Sequence, residues 1–208
     1  TVLTYISTSK KEETTKIDIH FLDNKLDEVK KSELLLTDTK RGDGVKQIKV
    51  DKNGNIYLIF YVFEGEGDDE VLINRLAFVP VNGGDPTIVD VKIEAGDITG
   101  STVHITESNR VFLIGYYSGE NGPEGEKDIA AGSFIAEIDV KDGDVIKVAE
   151  LELTQNQKVS LVTESMNPNM AKTRRLREMR SMKVNDIFED PAGNIIMVGS
   201  VRYYNIVS

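Results

Sequence analysis

Two oppositely charged segments hold most of the side chains that could bind a ligand by electrostatic attraction. The basic segment contains five cations, which are Lys172, Arg174, Arg175, Arg177 and Arg180. The acidic segment contains three adjacent carboxylates, which are Asp68, Asp69 and Glu70. Because guanidinium groups pair with carboxylates and phosphates, the basic segment suits an acidic protein partner, an anionic lipid surface or a polyanion. In the competing interpretation it packs on acidic loops of the same chain, where exposed ion pairs contribute about 0–1 kcal/mol each.

His104 is the side chain best suited to proton transfer, because imidazole titrates near neutral pH. It alternates with Val103 and Ile105, which predicts a β-strand. A lone histidine on a strand is more often a structural hydrogen-bonding residue. We predict a binding role for His104, and no catalytic residue in the chain.

A metal site is not predicted. The segment from Asp51 to Asn55 has the acidic and amide residues of a calcium loop, but its glycine is misplaced and no bidentate glutamate follows. A hairpin turn accounts for all five residues, since glycine and asparagine accept a positive φ. The chain has no cysteine, which excludes disulfides and thiolate ligands. We predict no cofactor.

Composition excludes two further classes of function. The formal charge is −10, whereas non-specific binding of nucleic acid requires a basic surface. No apolar run approaches the roughly 18 residues that a membrane-spanning helix needs. The sequence therefore predicts a globular protein that binds no nucleic acid and has no transmembrane segment.

Two kinds of hairpin recur in the same order along the chain. The first kind is an alternating strand, a polar tight turn and a strongly apolar strand, and it occupies 45–59, 101–115 and 184–199. Its apolar second strand is predicted to be buried on both faces. The second alternates between apolar and polar residues, and it occupies 16–36, 71–93 and 133–153. A unit of two hairpins that repeats in this way is typical of a propeller blade, which is a four-stranded antiparallel sheet.

We therefore predict an all-β fold, and within it a partial β-propeller of about three to four blades; a β-sandwich is the alternative. The expected division within a single segment 1–208 is a partial blade at 1–36, blades at 45–93 and 101–153, an insertion at 154–182 and a partial blade at 183–208. The insertion is expected to form one short basic helix within 155–182. Both ends fall within a blade, so the chain is expected to be part of a longer protein.

The links between strands divide into two sets. Those that join the first to the second strand, and the third to the fourth, are short turns. The others are long, namely 8–15, 37–44, 64–70, 94–100, 119–131 and 154–182. Because binding residues concentrate on long loops held by a rigid scaffold, we expect function at the long-link end.

Three segments resemble uncharacterised β-propeller-like envelope proteins of the Bacteroidota. They are Asp51 to Tyr57, Phe112 to Ser118 and Ser133 to Asp139, and the similarity continues through Asn169 to Arg177 and Val201 to Tyr204. The resemblance implies an exported protein of the cell envelope, in the periplasm or at the cell surface, and supplies no active site.

The predicted function is that of a non-enzymatic scaffold that binds a protein partner, such as an outer-membrane or envelope complex, through its long-link face. The alternative is a hydrolase or lyase that acts on a glycan or peptide near His104, at the mouth of the propeller channel.

Overall fold

The computed structural model describes residues 2–9, 14–36, 45–64, 71–82, 84–119, 130–154, 156–157 and 181–202. Every element in these ranges is a β-strand, and only Asn156 and Gln157 have helical backbone. The all-β prediction is therefore confirmed. The short basic helix predicted within 155–182 is not among the elements, and residues 158–180, which include its basic side chains, lie outside the described ranges.

Thirteen strands occur in the described residues. They are β1 (Val2–Ser9), β2 (Thr14–Leu22), β3 (Glu28–Leu36), β4 (Gln47–Val50), β5 (Ile56–Glu64), β6 (Val71–Val79), β7 (Thr87–Val91), β8 (Gly96–Ile105), β9 (Val111–Gly119), β10 (Ala130–Asp139), β11 (Asp144–Glu152), β12 (Ser181–Glu189) and β13 (Ile195–Arg202).

The strands form four antiparallel sheets, and each sheet follows chain order. The sheets contain β1 to β3, β4 to β7, β8 to β11, and β12 with β13. This grouping into three, four, four and two strands matches the order of hairpins in the sequence. The propeller itself stays a prediction.

The chain divides into two compact units, Thr1–Val91 and Lys92–Ser208. The first unit has a core between the inner face of β2 and β3 and one face of the β4–β7 sheet. Ile17, Ile19, Leu58 and Phe60 are almost completely buried there. This burial follows from the period-two pattern of β2, which alternates between isoleucine or phenylalanine and charged residues.

The second unit is built around β9, whose residues Val111 to Ser118 are all buried. Its neighbour β10 has the predicted alternation, because Phe134, Ala136 and Ile138 are buried whereas the residues between them are partly exposed. The β12 strand packs against β8 and β9. The strand β9 thus lies where continuous apolar sequence predicts burial on both faces.

Two expectations about individual strands were wrong. The predicted long link 94–100 is mostly strand, because β8 begins at Gly96. A bulge at Thr99 makes this possible, since Ile98 pairs with Tyr117 and Gly100 with Tyr116. The second correction concerns β13, which the apolar pattern predicts to be buried on both faces but which exposes Ile196 and Val198.

Candidate functional site

His104 lies on β8, half-buried, directly opposite Phe112 of β9. Phe112 is in turn opposite Glu137 of β10. Residues that face each other across antiparallel strands project from the same side of the sheet. The three side chains therefore form a row on one face, and this row is the immediate setting of the predicted His104 site.

The carboxylate in this row is held by Arg110. The guanidinium donates Nε–H to Glu137 Oε1 and Nη2–H to Oε2, both at 2.8 Å, and it stacks over the Phe112 ring at 4.8 Å from the centroid. The hydrogen bond from Arg110 lowers the pKa of Glu137 below its usual range. Glu137 therefore remains an ionised ion-pair partner and is a poor proton donor for chemistry beside His104.

The turn that suggested a calcium loop is closed by its own aspartate. Asp51 Oδ1 accepts the backbone N–H groups of Asn53 and Asn55 at 2.8 and 2.9 Å. Its Oδ2 accepts the Asn55 side-chain amide at 2.8 Å and the Tyr57 hydroxyl at 3.3 Å. Gly54 adopts φ +89°, which a side chain would oppose. Both carboxylate oxygens thus serve the hairpin.

The same device recurs at other short turns. Asp190 accepts N–H from Ala192 and Asn194 at 2.8 Å each, and Asn194 Nδ2–H at 2.8 Å. Asp139 accepts N–H from Lys141 at 2.9 Å. These bonds lower the pKa of Asp190 and Asp139. Among the described residues, no group of three or more histidine, aspartate or glutamate side chains is placed to hold a metal ion.

The outer face of β2 carries an ion-pair network that our sequence interpretation missed. Lys16 Nζ lies 2.7 Å from Glu33 Oε2 and 3.4 Å from Asp18 Oδ1, and Lys31 Nζ lies 3.1 Å from the same Asp18 oxygen. The hydrogen bond from Lys31 is the main cause of the lowered pKa of Asp18. The hydrogen bond to Glu33 raises the pKa of Lys16. The network is charge-balanced and stabilises the sheet face only weakly.

His20 continues this face toward the other end of β2. Its Nδ1 contacts Glu28 Oε2, and the ring of Tyr5 meets it edge-on with centroids 5.4 Å apart. The Tyr5 side chain is exposed, so it offers a ring to a ligand. The signal that could have found this face is the alternation of Lys16, Asp18 and His20 with apolar residues along one strand.

A cleft of about 330 Å³ lies beside β11 in the second unit. It is lined by Lys92, Ile93, Glu94, Val148 and Glu150. Glu150 Oε1 accepts backbone N–H from Glu94 at 2.9 Å, which holds the link before β8 against the edge strand. The cleft is open to solvent, and its lining combines two apolar side chains with three charged ones, so it indicates no specific ligand.

The remaining predicted site residues fall outside the described ranges. These are Asp68, Asp69 and Glu70 of the acidic segment, and Lys172, Arg174, Arg175, Arg177 and Arg180 of the basic segment. The structure therefore places His104 alone among the predicted binding residues.

Comparisons with known proteins add little. No family model matches the chain, and no curated protein matches it. A solved structure with some likeness is a crystal structure of an ACO/RPE65 chimera, at 12% identity and a TM-score of 0.46. The match covers 73% of this chain and 34% of the other. At this level the likeness carries no argument about fold or function.

In the part of the chain that the structure describes, no helix is long and apolar enough to cross a membrane.

Proposed function

We propose that this chain is a non-enzymatic binding scaffold of a bacterial cell envelope, and that it binds a protein partner through the long-link end of its sheets. The observation that carries the proposal is the difference between the two ends of each hairpin sheet. At one end the turns are short and are closed by their own side chains, as at Asp51, Asp139 and Asp190. The aspartate side chains at that end are hydrogen-bonded within their own turns, so they stabilise the scaffold.

At the other end of each sheet lie the strand termini that flank the long links. Register places Glu64 opposite Val71 and Ala130 opposite Ser118, at the ends of the two central hairpins. In a meander of antiparallel strands, successive links alternate between the two ends of the sheet. The end of β5 and the start of β6, like the end of β9 and the start of β10, therefore lie at the end of the sheet opposite the short turns.

Charge supports recognition at this end. The stretch 64–70 carries five carboxylates and no cation, and the stretch 119–131 has a net charge of −3. The stretch 172–180 has a net charge of +4. Blocks of opposite sign give electrostatic complementarity, which steers association and selects partners more than it raises affinity. A protein surface with matching patches fits them better than a single small ligand, and the envelope location rests on the family resemblance.

The test is recovery of a partner from native envelopes by the tagged chain. A charge-reversed variant replaces Lys172, Arg174 and Arg175 by glutamate. The matched control reverses three exposed lysines that lie away from the long links, which are Lys25, Lys141 and Lys147. We expect the wild type and the control to recover the same partner, and the variant at Lys172, Arg174 and Arg175 to lose it.

Equal recovery by both variants would contradict the proposal. So would a variant that keeps the partner but loses thermal stability, because that result would mean that the basic segment packs on acidic loops of its own chain. Circular dichroism on each variant verifies that the sheets are intact before recovery is compared.

A further inference from the structure

The edge strand β13 has the sequence of a central strand. The turn from Asp190 to Asn194 makes the same hydrogen bonds as the turn from Asp51 to Asn55. Counting from these turns, β13 corresponds to β5, and both follow the turn with unbroken apolar residues. Such runs are typical of strands buried on both faces.

Burial at the corresponding positions differs sharply. In β5, Tyr57 is 3% and Ile59 is 2% exposed. Their counterparts in β13 are Ile196, which is 50% exposed, and Val198, which is 43% exposed. Phe188, which pairs with Ile196 from β12, is also 50% exposed. Three large apolar side chains thus form a patch on one face of the β12–β13 sheet.

The four-stranded sheet β4–β7 shows which side chains adjoin Tyr57 and Ile59. The third strand, β6, places Phe78 opposite Tyr57 and Leu76 opposite Ile59. The rings of Tyr57 and Phe78 are in contact, with centroids 5.3 Å apart. In the described residues β13 pairs with β12 alone, so it has no strand in the place of β6.

The edge of β13 also lacks the features that normally prevent pairing. Edge strands are blunted by charges, prolines or bulges. The edge strand β11 has a bulge at Ile146 and four charged residues. Over Ile195–Val201, β13 has no charged residue and no proline.

The other face of the β12–β13 sheet packs against β8 and β9, so the position of the sheet does not depend on a further strand beside β13. Met182 of β12 is buried. Gly199 of β13 lies so close to Tyr116 that a Cβ there would meet the Tyr116 hydroxyl at 1.8 Å. The exposed patch is therefore on a sheet already anchored to β8 and β9.

We propose that the edge of β13 opposite β12, which no other strand of the described residues pairs with, accepts an antiparallel β-hairpin with the alternating pattern of β6–β7. Main-chain hydrogen bonds supply the affinity, and apolar side chains two residues apart, facing Ile196 and Val198, set the register. This surface is distinct from the long-link end, so the inference stands independently of the proposed function.

The experiment uses the full 208-residue chain and a fluorescent peptide with the sequence of residues 71–91. A control peptide has lysine in place of Leu76 and Phe78. Fluorescence anisotropy is measured for the wild type, for Val198→Lys and for Ile146→Lys, which changes an exposed residue of another edge strand. We expect saturable binding by the wild type and by Ile146→Lys, and at least tenfold weaker binding by Val198→Lys and by the control peptide.

Absence of binding up to the solubility limit of the peptide would overturn the proposal. Equal binding by Val198→Lys and Ile146→Lys would also overturn it, because the peptide would then bind elsewhere. Analytical ultracentrifugation provides a further readout. Self-association that Val198→Lys abolishes would assign the edge to a second copy of the chain and would refute the hairpin occupant.

Discussion

At the scale of single residues, the aspartates that open the short turns carry the clearest physical roles. Each one replaces water at backbone N–H groups that the tight turn leaves without a ladder partner. Asp51 and Asp190 accept hydrogen bonds from equivalent groups. In each turn the asparagine four residues later donates its side-chain amide to the aspartate. They stabilise the hairpins, and they hold one end of the sheets in a fixed geometry.

Replacing Asp51 by alanine is expected to lower the free energy of unfolding of the first unit by about 1–3 kcal/mol, because two backbone N–H groups and the Asn55 amide lose their acceptor. Urea denaturation followed by far-ultraviolet circular dichroism measures the change. Asp142→Ala, an exposed turn position, is the control and should change stability by less than about 0.5 kcal/mol. Similar losses for both variants would refute the role of the Asp51 carboxylate.

The pH dependence of stability tests the second turn. The pKa of Asp190 is held below its usual value of 3.8 by hydrogen bonds from Asn194. A carboxyl group with a lowered folded-state pKa contributes stability above its unfolded pKa, and the contribution is lost as the pH falls through the folded pKa. Asp190→Asn keeps an oxygen acceptor but cannot titrate.

We therefore expect the wild type to lose more stability than Asp190→Asn as the pH falls from about 5 to 2. Unfolding curves at a series of pH values measure the difference. If the two proteins have parallel pH profiles, the turn hydrogen bonds do not depend on the ionised carboxylate.

At the scale of strands, close backbone approach limits which residues fit. Gly115 lies in the middle of β9, where an added Cβ would be 2.0 Å from the carbonyl oxygen of Gly100 on β8. Gly115→Ala is therefore expected to force the two strands apart and to cost about 1–3 kcal/mol. Thermal unfolding of the second unit measures this. The matched control, Ile146→Ala in exposed β11, should cost less than about 0.5 kcal/mol, and equal shifts would contradict the packing argument.

Sequence patterns predict the strands well where local chemistry dictates them. The turns around Gly54 and Gly193 and the apolar run of β9 are recognisable because glycine conformation and continuous burial leave a local signal. The bulge at Thr99 leaves no such signal, because it depends on how Ile98 and Gly100 pair with β9. The exposure of Ile196 is likewise invisible in the sequence, since it depends on which strands adjoin β13.

At the scale of the whole molecule, the order of hairpins predicts the four sheets but not the functional surface. The Lys16–Asp18–Lys31–Glu33 network forms only when β2 and β3 pair, so charges distant in sequence meet. Composition alone cannot identify it among 35 acidic and 25 basic residues. For the same reason the sequence does not identify the residues that bind a partner. The proposal that the long-link end binds one rests on the contrast between that end of the sheets and the end with the short turns.

Cross-linking mass spectrometry on native envelopes tests that proposal most directly. The sequence has lysines within the long links 119–131 and 154–182, at Lys127, Lys158 and Lys172, and others in or beside the short turns, at Lys25, Lys52 and Lys141. We predict that a lysine-reactive reagent joins the partner to lysines of the long links. Cross-links confined to the lysines of the short turns, or spread evenly over both ends, would contradict the account.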